Sequence, residues 1–186
     1  MKCHLKSAQN NDTFIEEKSQ QQIGGCFNFV PIWEESDLKQ VVIYTDGSCK
    51  NNPGPGGWAA ILQYGTVERV LSGGEAKTTN NRMELTAVIE ALSALKERCS
   101  VTLYSDSRYV IDGTSKGWVS AWRAKGWKKS DGKPALNPEL WQRLLELLER
   151  QQVTFVWVKG HADNPGNERC DALAQAEAAK FKKAGA

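Results

Sequence analysis

The chain reads Tyr-Thr-Asp-Gly-Ser at residues 44–48 and Tyr-Ser-Asp-Ser at residues 104–107. Each stretch ends a short run of β-forming residues with a tyrosine, a hydroxyl residue and an aspartate. A helical segment separates the two runs, and a right-handed crossover through it lays the second strand parallel to the first. Side chains alternate along a strand, so Asp46 shares the side of Tyr44 and Asp106 shares the side of Tyr104. We therefore expect both carboxylates to meet at the carboxyl end of a sheet, where α/β proteins bind ligands.

Glu84 adds a third acid to this pair. Apolar residues recur at helical spacing over residues 81–97, and Glu84 falls on the stripe that faces the core. Three buried carboxylates are tolerable only if protons or a cation neutralise them. Oxygen ligands without clustered histidine or cysteine favour Mg2+ or Mn2+ over zinc. The alternative is that each acid has only a structural role in its own segment. An aspartate often forms a turn, and a glutamate in a first helical turn often complements the helix dipole.

The apolar pattern around these acids predicts a mixed α/β domain that begins near Leu38. Residues 1–37 are polar and without regular apolar spacing, so we interpret them as an N-terminal extension, and residues 184–186 as a tail. The first three predicted strands follow one another through short connections and are expected to be antiparallel. Strands are predicted at residues 41–45, 58–64, 67–72, 101–104 and 153–158, and helices at 81–97, 107–113, 119–125, 137–148 and 167–181.

The composition limits the class of protein. The 186 residues hold 24 Lys and Arg against 22 Asp and Glu, a formal net charge of +2, and 40% of them are hydrophobic. These values are ordinary for one globular domain and exclude wholesale disorder. No stretch reaches the roughly 18 uncharged apolar residues of a membrane helix, and residues 1–11 lack the apolar run of a signal peptide. We expect no membrane association, a cytoplasmic location and, since no coiled coil is evident, a monomer.

A basic and aromatic segment lies at residues 116–133. It holds six basic residues against Asp131, interleaved with three tryptophans. Basic charge combined with aromatic rings is typical of a nucleic-acid surface. Trp118 and Trp122 share one helical face by their spacing, so the alternative is that both indoles pack in the core beneath a solvated basic surface.

Two further residues have weaker signals. His161 follows the last predicted strand in a loop that contains glycine, where a histidine titrates near neutral pH. A lone loop histidine is, however, more often an ordinary surface residue. Asp171 lies within the last predicted helix and, taken alone, is interpreted as a solvated helical acid.

Six motifs together resemble those of bacterial type 1 ribonuclease H. They occur in order and with similar spacing between Leu38 and Ala179, and the Asn-Asn-Arg-Met-Glu-Leu segment is highly specific. The motifs are Thr45-Asp46-Gly47-Ser48-Cys49, Asn52-Pro53-Gly54-Pro55-Gly56-Gly57, Thr78-Thr79-Asn80-Asn81-Arg82-Met83-Glu84-Leu85, Ser105-Asp106-Ser107, Val158-Lys159-Gly160-His161-Ala162 and Asn167-Glu168-Arg169-Cys170-Asp171.

The resemblance implies an α/β, ribonuclease H-like fold over residues 38–183. Its five-stranded mixed sheet is flanked by helices, with three antiparallel strands followed by two parallel additions. The implied enzyme is an endonuclease that hydrolyses the RNA strand of RNA/DNA hybrids and leaves 5'-phosphate and 3'-hydroxyl ends. Two Mg2+ ions, with Mn2+ as a substitute, are implied at the site, and His161 is implied to assist proton transfer or product release. The implied metal ligands are Asp46, Glu84, Asp106 and Asp171.

The resemblance also assigns contacts to the hybrid. Amide side chains both donate and accept hydrogen bonds, so an asparagine cluster is expected to sense the 2'-hydroxyl of RNA. The basic segment resembles a protrusion that grips the DNA strand, and Lys77 and Thr79 match positions of a phosphate pocket. The residues implied to bind the hybrid are Asn52, Lys77, Thr79, Asn80, Asn81, Arg108, Trp118 and Trp122.

Two single positions and one pair of residues depart from the family pattern. Ala121 stands where an asparagine is common, and Arg108 replaces a frequent glutamine. The pair Asp163-Asn164 stands where a Gly-His pair is familiar. We expect the grip on the DNA strand, and proton or metal handling near His161, to differ in detail.

Three other classes of protein fit part of the pattern. An integrase-like DNA strand transferase also uses clustered acids on this fold, but Asn52, Asn80 and Asn81 argue against it. A non-catalytic hybrid-binding protein would be expected to have lost at least one of the four acids, and all are present. A purely structural protein leaves the inward-facing Glu84 unexplained.

Overall fold

The computed structural model describes residues 38–160 and 164–182. The predicted N-terminal extension, residues 1–37, and the tail, residues 184–186, lie outside the described residues, as does His161. No helix within the described ranges is long and apolar enough to cross a membrane. In chain order the elements are β1 (Lys39–Cys49), β2 (Gly54–Tyr64), β3 (Val67–Thr78), α1 (Asn80–Ser93), β4 (Cys99–Ser105), α2 (Arg108–Ser115), α3 (Trp118–Ala124), α4 (Pro138–Arg150), β5 (Gln152–Trp157) and α5 (Pro165–Lys182).

The sheet has the predicted order and directions. Its five strands run β3-β2-β1-β4-β5. Short connections join β1, β2 and β3, which pair antiparallel. The α1 crossover returns the chain so that β4 pairs parallel with β1, and β5 is added parallel to β4. The predicted five-stranded mixed sheet, antiparallel and then parallel, is confirmed.

Asparagine is common at helix caps, so the sequence predicts Asn80 or Asn81 as the cap of α1 and Asn137 as the cap of α4. No asparagine side chain caps either helix. We expected Asn80 or Asn81 to cap α1, but Thr79 is the cap and its hydroxyl accepts a hydrogen bond from the Arg82 backbone N–H at 3.4 Å. A threonine in extended conformation offers its oxygen to the third N–H of the helix, which frees both asparagines for other contacts. Asn137 precedes α4 as predicted but makes no side-chain cap, since its φ of 56° turns the side chain elsewhere.

The sheet carries helices on both of its faces. On one face, Ile43, Leu62 and Leu103 pack with α1 and α4 in the larger apolar core. On the other face, Ala59 and Ile61 pack against Cys170 and Ala174 of α5. Since residues alternate between the two cores along β1 and β2, the sheet is buried on both sides there. Its carboxyl end near β1 and β4 therefore lies between α1 and α5.

Candidate active site

An open pocket at the carboxyl end of β1 and β4 is lined by all four acids that the sequence implicated. Its volume is about 510 Å3. Asp46 lies on β1, Glu84 on α1, Asp106 directly after β4 and Asp171 on α5. The other residues of its wall are Gly47, Ser48, Asn80, Ser107, Arg108 and Gln175. Four elements that are distant in sequence therefore place one acid each around a single space.

Parallel pairing of β1 with β4 brings Asp46 to Asp106. The register sets Thr45 opposite Ser105, so the aspartates occupy the next position on each chain. Asp106 is the strongest of the neighbouring charges that act on Asp46. The matched strand ends in the sequence thus correspond to matched positions in the sheet.

Glu84 lies beside the end of β1 because Gly47 has no side chain. A Cβ atom at Gly47 would lie 2.3 Å from the backbone nitrogen of Glu84 and 2.5 Å from the carbonyl carbon of Met83. These are backbone atoms of a helix and cannot rotate away. The close approach of β1 to α1 at Gly47 is therefore what places Glu84 in the pocket.

Asp171 is positioned by the packing of α5 on the sheet. The neighbouring Cys170 is fully buried, and its thiol donates to the Tyr44 carbonyl oxygen at 3.3 Å. Burial raises the pKa of this thiol to about 12, so it remains a neutral packing group. Gln175 Nε2 donates to Asp171 Oδ1 at 2.8 Å and orients the carboxylate from the next turn of the helix.

Burial raises the pKa of Asp46 to about 8. Repulsion from Asp106, and more weakly from Asp171 and Glu84, acts in the same direction. The Gly47 backbone N–H donates to Asp46 Oδ1 at 2.7 Å and opposes the shift. At neutral pH, Asp46 therefore holds a proton unless a cation replaces it.

Glu84 is shifted in the same direction for the same principal reason. Burial raises its pKa to about 7, and Asp106 adds to the effect. Hydrogen bonds to its two carboxylate oxygens oppose the rise, one from the Ser107 hydroxyl and one from Asn80 Nδ2 at 2.8 Å. Two acids with raised pKa values in one pocket are a recognised mark of a functional site.

The donor chemistry of the pocket fits a divalent cation. Its acids offer hard oxygen ligands, and Asp46 and Glu84 are desolvated and repelled by Asp106, so a cation would relieve an unfavourable arrangement. Within residues 38–160 and 164–182, no three acidic, histidine or cysteine side chains are already grouped as metal ligands. Protein donors hold Asp46, Glu84 and Asp171 instead. Cation binding would therefore release the protons that the raised pKa values leave on Asp46 and Glu84. The hydrogen bonds to Glu84 and Asp171 can remain, because a carboxylate oxygen accepts more than one partner.

The asparagines that the resemblance implicated are linked to this pocket. Asn52 is exposed, and its Oδ1 accepts a hydrogen bond from the Asn80 backbone N–H at 3.1 Å. Asn80 in turn donates to Glu84. Asn81 is half-buried in the same helical turn, and the exposed Lys77 lies near the end of β3 just before it. The loop that carries Asn52, the start of α1 and the pocket therefore form one continuous surface.

The two tryptophans of α3 have different environments, so the alternative that both indoles pack in the core is wrong for Trp118. Trp118 is 42% exposed, with the Lys116 ammonium 5.1 Å from its ring centroid. Trp122 is half-buried and meets the buried Trp141 edge to face, with centroids 6.5 Å apart. Trp118 is available to a ligand, whereas Trp122 anchors the basic segment to the core.

Ala121, Arg108 and Asn164, which depart from the family pattern, lie within the described residues. Ala121 is exposed on α3, and Arg108 is exposed at the rim of the pocket. Asn164 has a structural role, because its Oδ1 accepts from the Asn167 backbone N–H at 3.0 Å at the start of α5. His161 and Asp163 lie outside the described residues.

Sequence reasoning did not assign roles to Ser107 and Trp157. Ser107 binds Glu84 and also caps α2, accepting from the Val110 backbone N–H at 3.2 Å. Its position before a helix was the available signal for the cap. Trp157 Nε1 donates to the Asp106 carbonyl oxygen at 3.2 Å. This contact joins segments that are distant in sequence, so no local sequence pattern predicts it.

Comparison with known proteins places this chain in a family. The RNase H family model matches residues 38–179. The chain is 60% identical over 146 residues to the Ribonuclease H of Rhizobium etli, covering 78% of this chain and 96% of the relative. It is 57% identical over 142 residues to the Ribonuclease H of Syntrophus aciditrophicus, covering 76% of this chain and 82% of the relative.

A solved structure gives the same result. The crystal structure of LC9-RNase H1, described as a type 1 RNase H with the type 2 active-site motif, superposes with a TM-score of 0.69 at 34% identity, covering 77% of this chain and 74% of that one. The chain therefore belongs to the RNase H family. The class predicted from the sequence, a bacterial ribonuclease H that acts as a hydrolase on RNA/DNA hybrids, is confirmed.

Proposed function

We propose that this chain is an endonuclease that hydrolyses the RNA strand of RNA/DNA hybrids and leaves 5'-phosphate and 3'-hydroxyl ends. Asp46, Glu84, Asp106 and Asp171 would hold two Mg2+ ions, for which Mn2+ would substitute. The observation that carries this proposal is the single pocket that all four acids line, in which Asp46 and Glu84 have raised pKa values. Membership of a family of generally divalent-metal-dependent enzymes supports it.

The acids have distinct tasks in this proposal. When bound, two divalent ions would supply the charge that activates the attacking water and stabilises the leaving 3'-oxygen. Asp46 and Glu84 would give up their protons as they become ligands, because a protonated carboxyl binds cations poorly. Asn80 and Ser107 hold the Glu84 carboxylate, and Gln175 holds that of Asp171. These contacts would fix both acids before substrate arrives.

Recognition of RNA is proposed for the surface beside α1. Asn52, Asn80 and Asn81 offer amide groups that both donate to and accept from a 2'-hydroxyl. The hydrogen bond from Asn80 to Asn52 couples this surface to Glu84 through the same helical turn. Ribose recognition and positioning of an acid would therefore depend on one short segment.

The grip on the DNA strand is proposed for two other surfaces. The exposed ring of Trp118, close to Lys116, suits a sugar–phosphate backbone, and Trp122 would support it from beneath. Lys77 and Thr79 would bind a phosphate at the end of β3. Arg108 would contact the hybrid at the rim of the pocket.

Four statements stay predictions from the sequence. His161 is proposed to assist proton transfer or product release. Residues 38–183 are proposed as the catalytic domain, with residues 1–37 as an extension. A monomeric state and a cytoplasmic location complete the proposal.

Cleavage of matched duplexes tests the function. RNA/DNA, RNA/RNA and DNA/DNA duplexes of one sequence, labelled on each strand in turn, would be incubated with Mg2+ or with EDTA. We expect cutting only of the RNA strand of the hybrid, and none in EDTA. Polynucleotide kinase should label the new 5' ends only after phosphatase treatment, because they carry a phosphate.

Substitutions assign the activity to the pocket. Asp46→Asn and Glu84→Gln should abolish cleavage while the protein remains folded. Glu146→Gln, which removes an exposed acid on α4, is the matched control and should cut normally. Full activity of Asp46→Asn, or cleavage in EDTA, would overturn the proposal.

A further inference from the structure

Residues at the end of β5 form hydrogen bonds to the backbone carbonyl groups of both Ser105 and Asp106. Trp157 pairs with Ser105 in the parallel ladder, and the Val158 backbone N–H donates to the Ser105 carbonyl oxygen at 3.1 Å. The indole N–H of Trp157 donates to the Asp106 carbonyl oxygen at 3.2 Å. Both carbonyl groups next to this acid are therefore held by consecutive residues of one strand end.

The segment after β5 also passes directly beside the Asp106 carboxylate. A Cβ atom at Gly160 would lie 2.5 Å from Asp106 Oδ2. Only a glycine allows the chain to come so close without moving the carboxylate. The path from Trp157 to Gly160 therefore follows the backbone of Asp106 and then its side chain.

The ring of Trp157 holds a second group of the pocket. The Arg108 guanidinium carbon lies 3.6 Å from the indole centroid, so the planar cation stacks on the ring face. Stacking occupies the face of the guanidinium and leaves the N–H groups at its edge free to point sideways. No ion pair joins Arg108 to a carboxylate within the described ranges, although Arg108 lines a pocket with four acids.

We propose that Trp157 is a positioning residue that acts on two groups at once. Its N–H fixes the backbone of Asp106, and its ring face holds Arg108 with the guanidinium edge available to a phosphate of the hybrid. This inference rests on the proposed function, because it needs Asp106 at the reaction centre and a polyanionic substrate. The two effects separate, since one depends on a hydrogen bond and the other on an aromatic face.

Two substitutions at Trp157 separate them. Trp157→Phe retains an aromatic face for Arg108 but has no N–H for the Asp106 carbonyl. Trp157→Leu removes both. Arg108→Gln removes the cation and leaves the indole hydrogen bond in place. Steady-state cleavage of the hybrid in Mg2+ gives kcat and KM, and hybrid affinity measured in EDTA over a range of salt gives the number of phosphate contacts.

Each variant has a distinct expected result. Trp157→Phe should lower kcat about 10-fold, the usual effect of losing a group that orients a metal-binding residue, with KM and the salt dependence unchanged. Arg108→Gln should raise KM and reduce the slope of log affinity against log salt by about 1, with kcat retained. Trp157→Leu should show both changes. Combining Trp157→Leu with Arg108→Gln should weaken binding no further than either alone, because the ring acts through the arginine.

The exposed ring of Tyr64, the last residue of β2, provides the matched control. Tyr64 is 49% exposed and lies under the Lys39 ammonium at 5.7 Å, so Tyr64→Leu also removes an aromatic face from a cation. It should change neither kcat nor the salt slope. Thermal unfolding checks that every variant is folded, and if Trp157→Leu does not fold, Trp157→Phe and Arg108→Gln still decide the two claims.

Two outcomes would overturn the inference. An unchanged kcat in Trp157→Phe would remove the role of the hydrogen bond, and a wild-type salt slope in Arg108→Gln would remove that of the stacked cation. Failure of the proposed function itself would look different, since the unsubstituted protein would then not cut the hybrid.

Discussion

The rings of Tyr44 and Tyr104 stack on each other across the parallel pair of β1 and β4, with centroids 5.1 Å apart and planes inclined by 17°. They face each other in the register, two residues before Asp46 and Asp106. A stacked aromatic pair is worth about 0.5–1.5 kcal/mol beyond the area it buries. The attraction between the two tyrosine rings therefore opposes the repulsion between Asp46 and Asp106, which lie two residues further along the same two segments.

The metal-free protein should lose stability as pH rises from about 4 to about 8. The pKa values of Asp46 and Glu84 are raised in the folded protein to about 8 and about 7, from 3.8 and 4.5. Between those limits the folded state binds more protons than the unfolded state, so the free energy of unfolding falls as pH rises. Urea unfolding in EDTA at pH 5, 6.5 and 8 measures this.

Asp46→Asn is the internal control for that trend. It should be more stable than the unsubstituted protein by about 1–3 kcal/mol at pH 8, and the difference should shrink toward pH 5 as Asp46 takes up its proton. A difference that does not vary with pH would contradict the raised pKa of Asp46.

Stabilisation by Mg2+ should increase with pH. A ligand that binds only the folded state raises stability by mass action, and protons compete with the cation for the same carboxylates. The increase in Tm on adding a fixed Mg2+ concentration should therefore be larger at pH 8 than at pH 5.5. Glu84→Gln should reduce the increase at both values, whereas Glu146→Gln should not.

Gly47→Ala should disturb both stability and cleavage. The added methyl group meets backbone atoms of Met83 and Glu84 at 2.5 Å or less, so α1 must move away from β1. Overpacking of this kind costs about 1–3 kcal/mol, and displacement of Glu84 should lower kcat by about 10-fold or more. Urea unfolding and hybrid cleavage measure the two effects. Ser48→Ala, one residue further along the same strand, is the comparison and should cost less stability.

Ser107→Ala should lower stability and shift the pH dependence of cleavage upward. The serine caps α2 and donates to Glu84, and this hydrogen bond holds the pKa of Glu84 down. Loss of the cap costs about 1 kcal/mol. The acidic limb of the rate–pH profile should move to higher pH, and Ser107→Thr, which keeps a hydroxyl, should restore both properties. A profile that stays in place with Ser107→Ala would show that this hydrogen bond does not control Glu84.

Two identical substitutions in α3 should have opposite consequences. Trp118→Ala should weaken hybrid binding with little change in Tm, because its ring is exposed. Trp122→Ala should lower Tm by several degrees, since it removes the edge-to-face contact with buried Trp141. Binding in EDTA and thermal unfolding distinguish them, and equal effects on both measurements would contradict the assignment.

Much of the sheet could be predicted because its signals are local. Runs of β-forming residues, the short connections between them and the crossover helix were enough for the antiparallel pairing of β1, β2 and β3 and for the parallel pairing of β4 with β1. The exact ends of the strands could not be predicted from these signals. Residues 73–78 were not predicted as strand, yet they continue β3, because Gly73 and Gly74 pair with Trp58 and Gly57. A Cβ atom at Gly73 would lie 3.0 Å from the Trp58 indole, and one at Gly74 would lie 2.9 Å from the Phe181 ring of α5, so close packing explains both glycines.

The candidate site, like the sheet, could be predicted where its signals are local in the sequence. Asp46 and Asp106 follow from strand ends, and Glu84 from helical periodicity. Asp171 required the resemblance, because an acid inside a helix has no local feature that separates it from a solvated one. Trp157 was missed because its contact with Asp106 depends on the pairing of β4 with β5, which sequence spacing alone does not specify.

The position of Asp171 on α5 determines when, during synthesis of the chain, the pocket can be completed. During synthesis the residues of β1, α1 and β4 leave the ribosome before those of α5, which must still emerge and pack Cys170 and Ala174 against Ala59 and Ile61. The pocket therefore lacks its fourth acid until α5 has been synthesised and has packed on the sheet. Premature stops before residue 165 would release proteins without Asp171, and the proposed function predicts that these proteins do not cleave the hybrid.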